Sequence, residues 1–557
     1  MRNTGRLLLP IGTTNYKKIC DNYYYVDKTL MIKDILDEGT EISLFTRPRR
    51  FGKTLNMDML RTFFEKQEED TSRYFTDKKI WQQGEAYTKH QGKYPVIYLS
   101  LKDANKFTWS DLYARLIETI RDEFFRHPEL NDSPKISNPE FYKKIIAGQA
   151  TEAEYSISIL RLSRMLREHY GQSVILMIDE YDTPIQAGYI NGFYNEAIQF
   201  IRDLFSSALK DNDNLAFGFL TGILRVAKES IFSGLNNIYV YSVLDDKFSD
   251  YFGFTDMEVK RLAHYYALDD KLAEIKEWYD GYRFGEVEIY NPWSVLSYLK
   301  NGCKAIPYWV QTSSNSTINT ILRNLDGETY QKLKDIINGK AISSIVSTNV
   351  IYPELKDRSA NIFGFLLMTG YLKSSRTNFT MRGNILCELC IPNKEIENVY
   401  YNEILSQLAD GVSINTTNVL SEALLHKDDV LLKQSLNKFL LETISFYDTL
   451  NENYYHGLLL GMTVIFAHDY YISSNRESGL GRYDIMLVPK QAGLPGIVIE
   501  VKATDKSSPA ALKALASGAL EQINTNKYDT ELVKHGVKLI YKYGIAFSGK
   551  QAEIMTN

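Results

Sequence analysis

The chain has 557 residues, of which 44% are hydrophobic and 24% charged, and its formal net charge is −5. That length exceeds what one hydrophobic core organises and points to three or four domains. The acidic balance excludes a global basic field for nucleic acid, so any such site has to be a local patch. Four cysteines, Cys20, Cys303, Cys387 and Cys390, are too few for a disulfide framework and suit a reducing compartment. Cys387 and Cys390 form a lone C-x-x-C without a second pair, which alternating strand residues explain better than zinc. The first residues lack an apolar core of signal-peptide length. The longest apolar run, residues 457–467, is too short to cross a bilayer. The expectation is a cytoplasmic protein with no membrane partner.

In chain order, apolar strand-like runs alternate with helical patterns, which reads as α/β with a largely parallel sheet. Residues 41–46 (EISLFT), 95–101 (PVIYLSL), 173–182 (SVILMIDEYD) and 215–222 (LAFGFLTG) are the expected strands, with helical periodicity at 54–66, 109–126 and 194–209. The first strand runs into RPRRFGKT, residues 47–54, whose end is that of a phosphate-binding loop. In such a loop backbone N–H groups and a helix N-terminus converge on phosphate. Lys53 would reach the β/γ oxygens, Thr54 would bind magnesium, and Gly52 permits the close backbone approach. Arg47 and Pro48 stand where glycine usually begins the loop. It is therefore expected to be stiff and to carry three extra cations, Arg47, Arg49 and Arg50, either aiding phosphate binding or solvated at a helix entrance.

The third strand ends in Asp179-Glu180, a Walker-B arrangement in which Asp179 holds magnesium through water and Glu180 polarises the attacking water. An acidic pair can also be a solvated strand end, but joined to G-K-T it points to ATP binding and slow hydrolysis. Thr221, at the tip of the fourth strand, is a candidate polar sensor. Arg225, a turn later, is a candidate γ-phosphate contact. A strand cap and a surface cation are their plainer readings.

The segments YYVDKTLMI, FTRPRRFGKTLNMDML, IDEYDTPI, SIFSGLNNI, WYDGYRFG and IYNPWSVLSYL together resemble a bacterial AAA-ATPase-like family over about residues 7–300. In that family the arginine-rich loop is usual. The resemblance implies a P-loop NTPase fold, with residues 25–32 near the nucleotide. The expected nucleotide-binding set is Arg49, Arg50, Phe51, Gly52, Lys53, Thr54, Asp179, Thr221 and Arg225.

From 301 to 400 short helices precede a β-rich hairpin (364–375, 384–393), a winged-helix-like region expected to be structural because it has few clustered cations. Residues 401–450 read as a helical linker. In the tail, 481–489 (GRYDIMLVP) and 496–503 (GIVIEVKA) form an apolar hairpin that carries Asp484, Glu500 and Lys502. Glu500 and Lys502 are two apart and share a strand face. A lysine and two carboxylates on a buried hairpin are costly unless they serve something, although a buried ion pair alone would also account for them. Phosphodiester hydrolysis uses such a set, with two carboxylates on a divalent metal and a lysine orienting water or neutralising charge.

A preceding helix carries Glu452 and His456 on one face, and residues 519–528 form a following helix with Gln522 and Tyr528. This arrangement resembles the PD-(D/E)XK nuclease superfamily, and SNRESGLGRYDI matches the nuclease-like domain often fused to the ATPase-like family. The resemblance implies Asp484 and Glu500 as ligands of magnesium or manganese and Lys502 as the catalytic lysine. Glu452 and His456 are auxiliary candidates, Gln522 and Tyr528 are expected at the substrate backbone, and Arg482 and Arg476 at phosphate unless they pair with Glu477. The expected layout is an ATPase-like domain (1–300), a winged-helix-like region (301–400), a helical linker (401–450) and an α/β restriction-endonuclease-like domain (451–557). The expected function is ATP-driven or ATP-gated, metal-dependent cleavage of nucleic acid, with DNA favoured. The alternatives are a nucleotide-dependent switch whose tail binds DNA or a partner without cleaving, and a chaperone-like ATPase. A homo-oligomer stays open.

Overall fold

The computed structural model describes residues 6–226, 237–309, 329, 332–333, 335–336, 339–350, 352–356, 359–400, 414–443, 452–463, 466, 469–479, 481–505 and 508–557. Most of SIFSGLNNI, parts of the helical linker and the side chains of Arg476 and Glu477 lie outside the described residues. The chain divides into two compact units, residues 1–317 with 341–396, and residues 318–340 with 397–557. Most of the winged-helix-like stretch therefore belongs to the first unit and forms no compact unit of its own. Among the described residues no helix is long and apolar enough to cross a membrane.

The N-terminal unit is built on a parallel sheet of five strands, β1 (Ile42–Thr46), β2 (Val96–Ser100), β3 (Val174–Asp179), β4 (Leu215–Gly222) and β5 (Ile238–Tyr241), in the order β2-β3-β4-β1-β5. All four pairings are parallel. β1 and β3 are buried at every position, which requires helices on both faces and explains their unbroken apolar sequences. Gly218 in β4 leaves room for the Ile42 side chain of β1, whose Cδ1 would have to shift from a Cβ placed 2.5 Å away. Thr46, Asp179 and Thr221 all arrive at the carboxyl edge of the sheet, where open α/β sheets bind their ligands. The helix Lys53–Phe64 starts at this edge directly after β1.

Further along, an antiparallel sheet has the order β7-β8-β6, from β6 (Ile342–Val346), β7 (Lys373–Phe379) and β8 (Ile385–Cys390). The apolar helix Ser359–Thr369 packs on β6, and Gly364 permits the approach, since a Cβ there would meet the Ser347 carbonyl at 2.1 Å. Cys387 is buried and Cys390 half-buried on β8; both are free thiols.

The C-terminal unit holds a second five-stranded sheet in sequential order, β9 (Tyr470–Ser478), β10 (Gly481–Pro489), β11 (Gly496–Ala503), β12 (Ile540–Ser548) and β13 (Gln551–Thr556). Its pairs are antiparallel except β11 with β12. That parallel pair requires a crossover, supplied by the helix Pro509–Thr525. Gly544 in β12 lets this helix lie against the sheet, because a Cβ would come within 2.3 Å of the Ala516 carbonyl oxygen. The opposite face buries Ile485, Ile499, Val501 and Phe547 against the helix Glu452–Thr463, with Tyr455 stacked on Phe547 at 4.2 Å. SNRES, part of the nuclease-like resemblance, is the second half of β9. The helix that carries Gln522 ends at Thr525, so Tyr528 lies beyond it rather than on it.

Candidate nucleotide and metal sites

At the carboxyl edge of the N-terminal sheet is a cavity of about 500 Å3. The loop Arg49–Thr54 lines one wall with Glu180 and Thr183, while Tyr24, Tyr25 and Val26 of the upstream segment line another. The loop turns sharply, with Arg50 at φ 70° and Gly52 at φ 84° in the left-handed region. A cradle of N–H groups is made from such alternation. Phe51 contributes backbone only, since its ring is buried edge-on against Tyr282 at 4.9 Å.

Lys53 is buried, and its ammonium donates to the carbonyls of Arg47 at 3.0 Å and Pro48 at 2.9 Å. Burial lowers its pKa and the nearby Glu180 carboxylate opposes that shift. Thr54 Oγ1 donates to Asp179 Oδ2 at 2.8 Å, and Thr221 Oγ1 donates to Asp179 Oδ1. Thr221 also accepts from the Glu180 backbone N–H at 3.2 Å. Thr221 thus acts one layer behind the cavity by orienting Asp179, and neither residue lines the cavity wall. Glu180 does, held in the left-handed region at φ 56°. For a non-glycine residue that conformation is uncommon and concentrates at functional sites.

The three loop arginines separate. Arg49 Nη2 donates to Gln186 at 3.0 Å, and the Arg50 guanidinium lies 4.5 Å from the Trp293 ring centroid; both residues line the cavity. Arg47 is neither a phosphate contact nor solvated. Its side chain is fully buried and donates to the carbonyls of Thr46 (2.9 Å), Tyr241 (2.7 Å) and Phe248 (3.2 Å), between the rings of Phe252 and Phe284. Burial pushes its pKa down to about 9, with Asp245 opposing, so it stays charged at neutral pH. Arg225 is exposed in a two-residue strand paired with Asn349–Val350 and does not line the cavity. Sequence reasoning missed Asp182, whose buried carboxylate accepts from Ile223 N at 2.8 Å and Leu224 N at 3.0 Å and holds the turn after β4. Its only sequence signal is its place in the acidic run after β3.

In the C-terminal unit, β10 and β11 bring Asp484 and Glu500 together. Glu500 is 1% exposed; its Oε1 accepts from Lys502 Nζ at 3.0 Å and from Gln522 Nε2 at 2.5 Å. Its Oε2 is buried and among the described residues has no well-formed hydrogen-bond partner, although the Asp484 backbone N–H lies close enough to favour the ionised carboxylate. Burial first, then the Asp484 charge, pushes the Glu500 pKa up to about 7. Asp484 Oδ2 accepts from Val501 N at 2.7 Å. Burial acts to lower the Lys502 pKa, but its bond to Glu500 and the surrounding carboxylates raise it overall. An orphaned carboxylate oxygen beside a second carboxylate suits a divalent cation, because both like-charge repulsion and missing coordination are relieved by one ion.

The auxiliary residues fall differently. Glu452 is about half exposed and approaches Lys502 at 3.8 Å, not the two carboxylates. His456 Nε2 lies 3.1 Å from the backbone oxygen of Asp484. Among the described residues no group of three or more His, Cys, Asp or Glu side chains forms a metal cluster. Arg482 is exposed and stands across from Glu477 in the β9/β10 register. Gln522 links Glu500 to Tyr528, donating to the tyrosine hydroxyl at 3.2 Å. Tyr528 is only 2% exposed, and its hydroxyl also accepts from Asn526 at 3.0 Å. That burial places it as a brace for Gln522 rather than at a substrate backbone.

Residues 10–232 match the family model described as a predicted AAA-ATPase, and residues 450–557 match that of the PD-(D/E)XK nuclease superfamily. The two matches fall in the order and places of the two sequence resemblances. An uncharacterized protein in the vnfD 5′ region of Azotobacter chroococcum mcd 1 is 26% identical over 489 residues, covering 86% of this chain and 81% of that protein. Coverage that long takes in part of both matched segments.

Proposed function

We propose, for a chain that joins an AAA-ATPase-like segment to a PD-(D/E)XK nuclease-like one, that ATP binding and slow hydrolysis in the first unit govern metal-dependent cleavage of nucleic acid, DNA foremost, by the second. The observation that carries the cleavage half is the orphaned Oε2 of Glu500 beside Asp484, with Lys502 on the same strand face. Asp484 and Glu500 are the residues that would hold magnesium or manganese. A divalent cation there supplies Lewis acidity and a more acidic water. Lys502 carries a charge that offsets the anion building on phosphorus, and Gln522, braced by Tyr528, keeps Glu500 oriented.

In the first unit, Lys53 would exchange its two loop carbonyls for phosphate oxygens, Thr54 would hold the nucleotide's magnesium, and Asp179, behind the wall and bonded to Thr54 Oγ1, would act on that metal through water. Glu180 orients water at the cavity wall. The acidic net charge of the whole chain argues for a confined nucleic-acid contact, not a broad one. The reading takes the chain as cytoplasmic, which a nucleic-acid substrate and unpaired cysteines support.

The test is nicking of supercoiled plasmid with magnesium or manganese, with and without ATP, by wild type and by Asp484→Ala, Glu500→Ala and Lys502→Ala. Cleavage that needs metal and all three residues supports the reading. A protein that binds DNA without nicking it, while ATP alters that binding, establishes instead a nucleotide-dependent switch. One observation favours that second reading: Glu452, the acid of the first helix, approaches Lys502 and not Asp484 or Glu500.

A further inference from the structure

Glu395 is completely buried, and among the described residues no cation lies within ion-pair distance of it. Its hydrogen-bonding partners are neutral. Ser294 Oγ lies 3.0 Å from Oε1 and 2.8 Å from Oε2, and the Trp309 backbone N–H donates to Oε1 at 2.8 Å. Tyr279, Tyr282 and Tyr308 also lie close enough to feel its charge. A buried carboxylate satisfied only by neutral donors is costly, so its place calls for a geometric reason.

The reason lies one residue away. Trp309, fixed at its backbone by Glu395, is 2% exposed and packs against Tyr371 at 4.9 Å between ring centroids. Its indole Nε1 donates to the carbonyl of Arg49 in the phosphate loop at 3.2 Å. Gly370, next to Tyr371, lies against Pro48 so closely that a Cβ would meet it at 3.0 Å. A peptide is planar with its C=O and N–H opposed, so tying down the Arg49 carbonyl fixes the direction of the Arg50 N–H. Arg50, in the left-handed region, is where the loop turns its N–H groups inward. Ser294, Trp309 and Glu395 all fall outside the segment that matches the ATPase family model, residues 10–232.

We propose that Trp309 and Glu395 are positioning residues of the nucleotide site: Glu395 fixes Trp309, and Trp309 fixes the 49–50 peptide so that the Arg50 N–H faces the phosphates of bound ATP. The inference rests on the ATP-binding reading. It makes a segment more than 250 residues downstream of the loop a working part of the phosphate cradle. Trp309→Phe keeps an aromatic ring against Tyr371 and removes the donor together with part of the ring volume, so the ligand-free melt gauges the packing loss. Glu395→Gln keeps one acceptor oxygen for the Trp309 N–H.

The experiment titrates the full chain and both variants with Mg-ATP and, separately, with adenosine, alongside thermal melts without ligand. The loss of one hydrogen bond to the loop predicts Mg-ATP affinity about five- to ten-fold weaker for Trp309→Phe. Glu395→Gln should show a smaller loss of the same kind. Adenosine, which has no phosphate, should bind both variants as it binds wild type. Wild-type Mg-ATP affinity in both variants overturns the proposal. So does equal weakening of ATP and adenosine, or a collapsed melt in both variants, since either marks a merely structural role. If wild type itself binds no ATP, the ATP-binding reading falls as well, and that arm tells the two failures apart.

Discussion

Arg47 and Lys53 each carry a positive charge into a dry interior, and the two charges serve different ends. Arg47 satisfies three backbone carbonyls from Thr46, Tyr241 and Phe248, tying the loop to β5 and the segment after it. Removing it strands acceptors that no water reaches, each worth about 1–3 kcal/mol. Arg47→Ala should therefore lower the urea midpoint of the first unit substantially, by on the order of 3 kcal/mol in stability. A phosphate contact would show the opposite pattern, lost ATP affinity at unchanged stability. Lys53 has the profile of a ligand-binding group, because its two acceptors are loop carbonyls and burial lowers its pKa. Lys53→Ala should cost at least about ten-fold in ATP affinity with the apo melt little changed, since removal of a desolvated ammonium offsets the loss of its two carbonyl bonds at the cavity wall. Isothermal titration beside the melt separates the two residues. Glu500 adds a pH dependence of definite sign. Its pKa is raised from 4.5 to about 7, so its stabilising protonated form is complete below pH 4.5 and is lost as pH rises through 7. Glu395 is raised to about 7 by the same cause, burial, and acts in the same window in the other unit. Metal-free protein should thus lose on the order of 2–3 kcal/mol between pH 5 and 8 from each group. Glu500→Gln should flatten the dependence of the C-terminal unit, and Glu395→Gln that of the N-terminal unit. Melts across that range that stay identical in both variants would sink the assignment of the two carboxyls.

At the scale of elements, Gly544 decides whether the crossover helix seats. A Cβ there would press on the Ala516 carbonyl and the Leu520 amide, both backbone atoms of the helix Pro509–Thr525, neither of which can swing aside. Gly544→Ala should destabilise the C-terminal unit by about 1–3 kcal/mol. It should also loosen the Gln522 bond to Glu500, because Gln522 rides on that helix. A stability loss without any change in metal affinity would show that the helix position and the carboxylate pair are independent. The elements that the sequence revealed are those whose own residues decide their fate. β1 to β4 are apolar runs ended by polar residues, and the β10/β11 hairpin is two such runs around a Gly/Pro turn. β5 escaped notice because Ile238–Tyr241 is four residues long and joins β1 only through long-range pairing. β9 escaped because its second half, SNRES, is polar and reads as a loop until β10 pairs with it. The burial of Arg47 is hidden from the sequence for the same reason, since two of its acceptors, Tyr241 and Phe248, lie about 200 residues away. The place of Tyr528 is hidden because the helix stops three residues short of it and the chain then turns it inward.

At the scale of the whole molecule the question is whether the two candidate sites communicate, and ligand linkage answers it without assuming how the units are arranged. A ligand that binds only the folded state stabilises by an amount that depends on its concentration over Kd, about 2.7 kcal/mol at a hundred-fold excess. Manganese should raise the melting of the unit that holds Asp484 and Glu500, and do much less for Asp484→Ala. Manganese-ATP should raise that of the unit that holds Lys53, read in Asp484→Ala so that metal at the other site does not contribute. If the sites are independent, the two shifts add within about 0.5 kcal/mol, as distant perturbations usually do. If ATP gates cleavage, binding at one site changes affinity at the other, and reciprocity requires the same coupling in both directions. The melt with both ligands should then depart from the sum, and Glu180→Gln, which is expected to bind ATP but not turn it over, should preserve that departure. Lys53→Ala should abolish it. Strict additivity in wild type, with nicking unaffected by ATP, would mean that the chain carries two activities side by side rather than one controlled by the other.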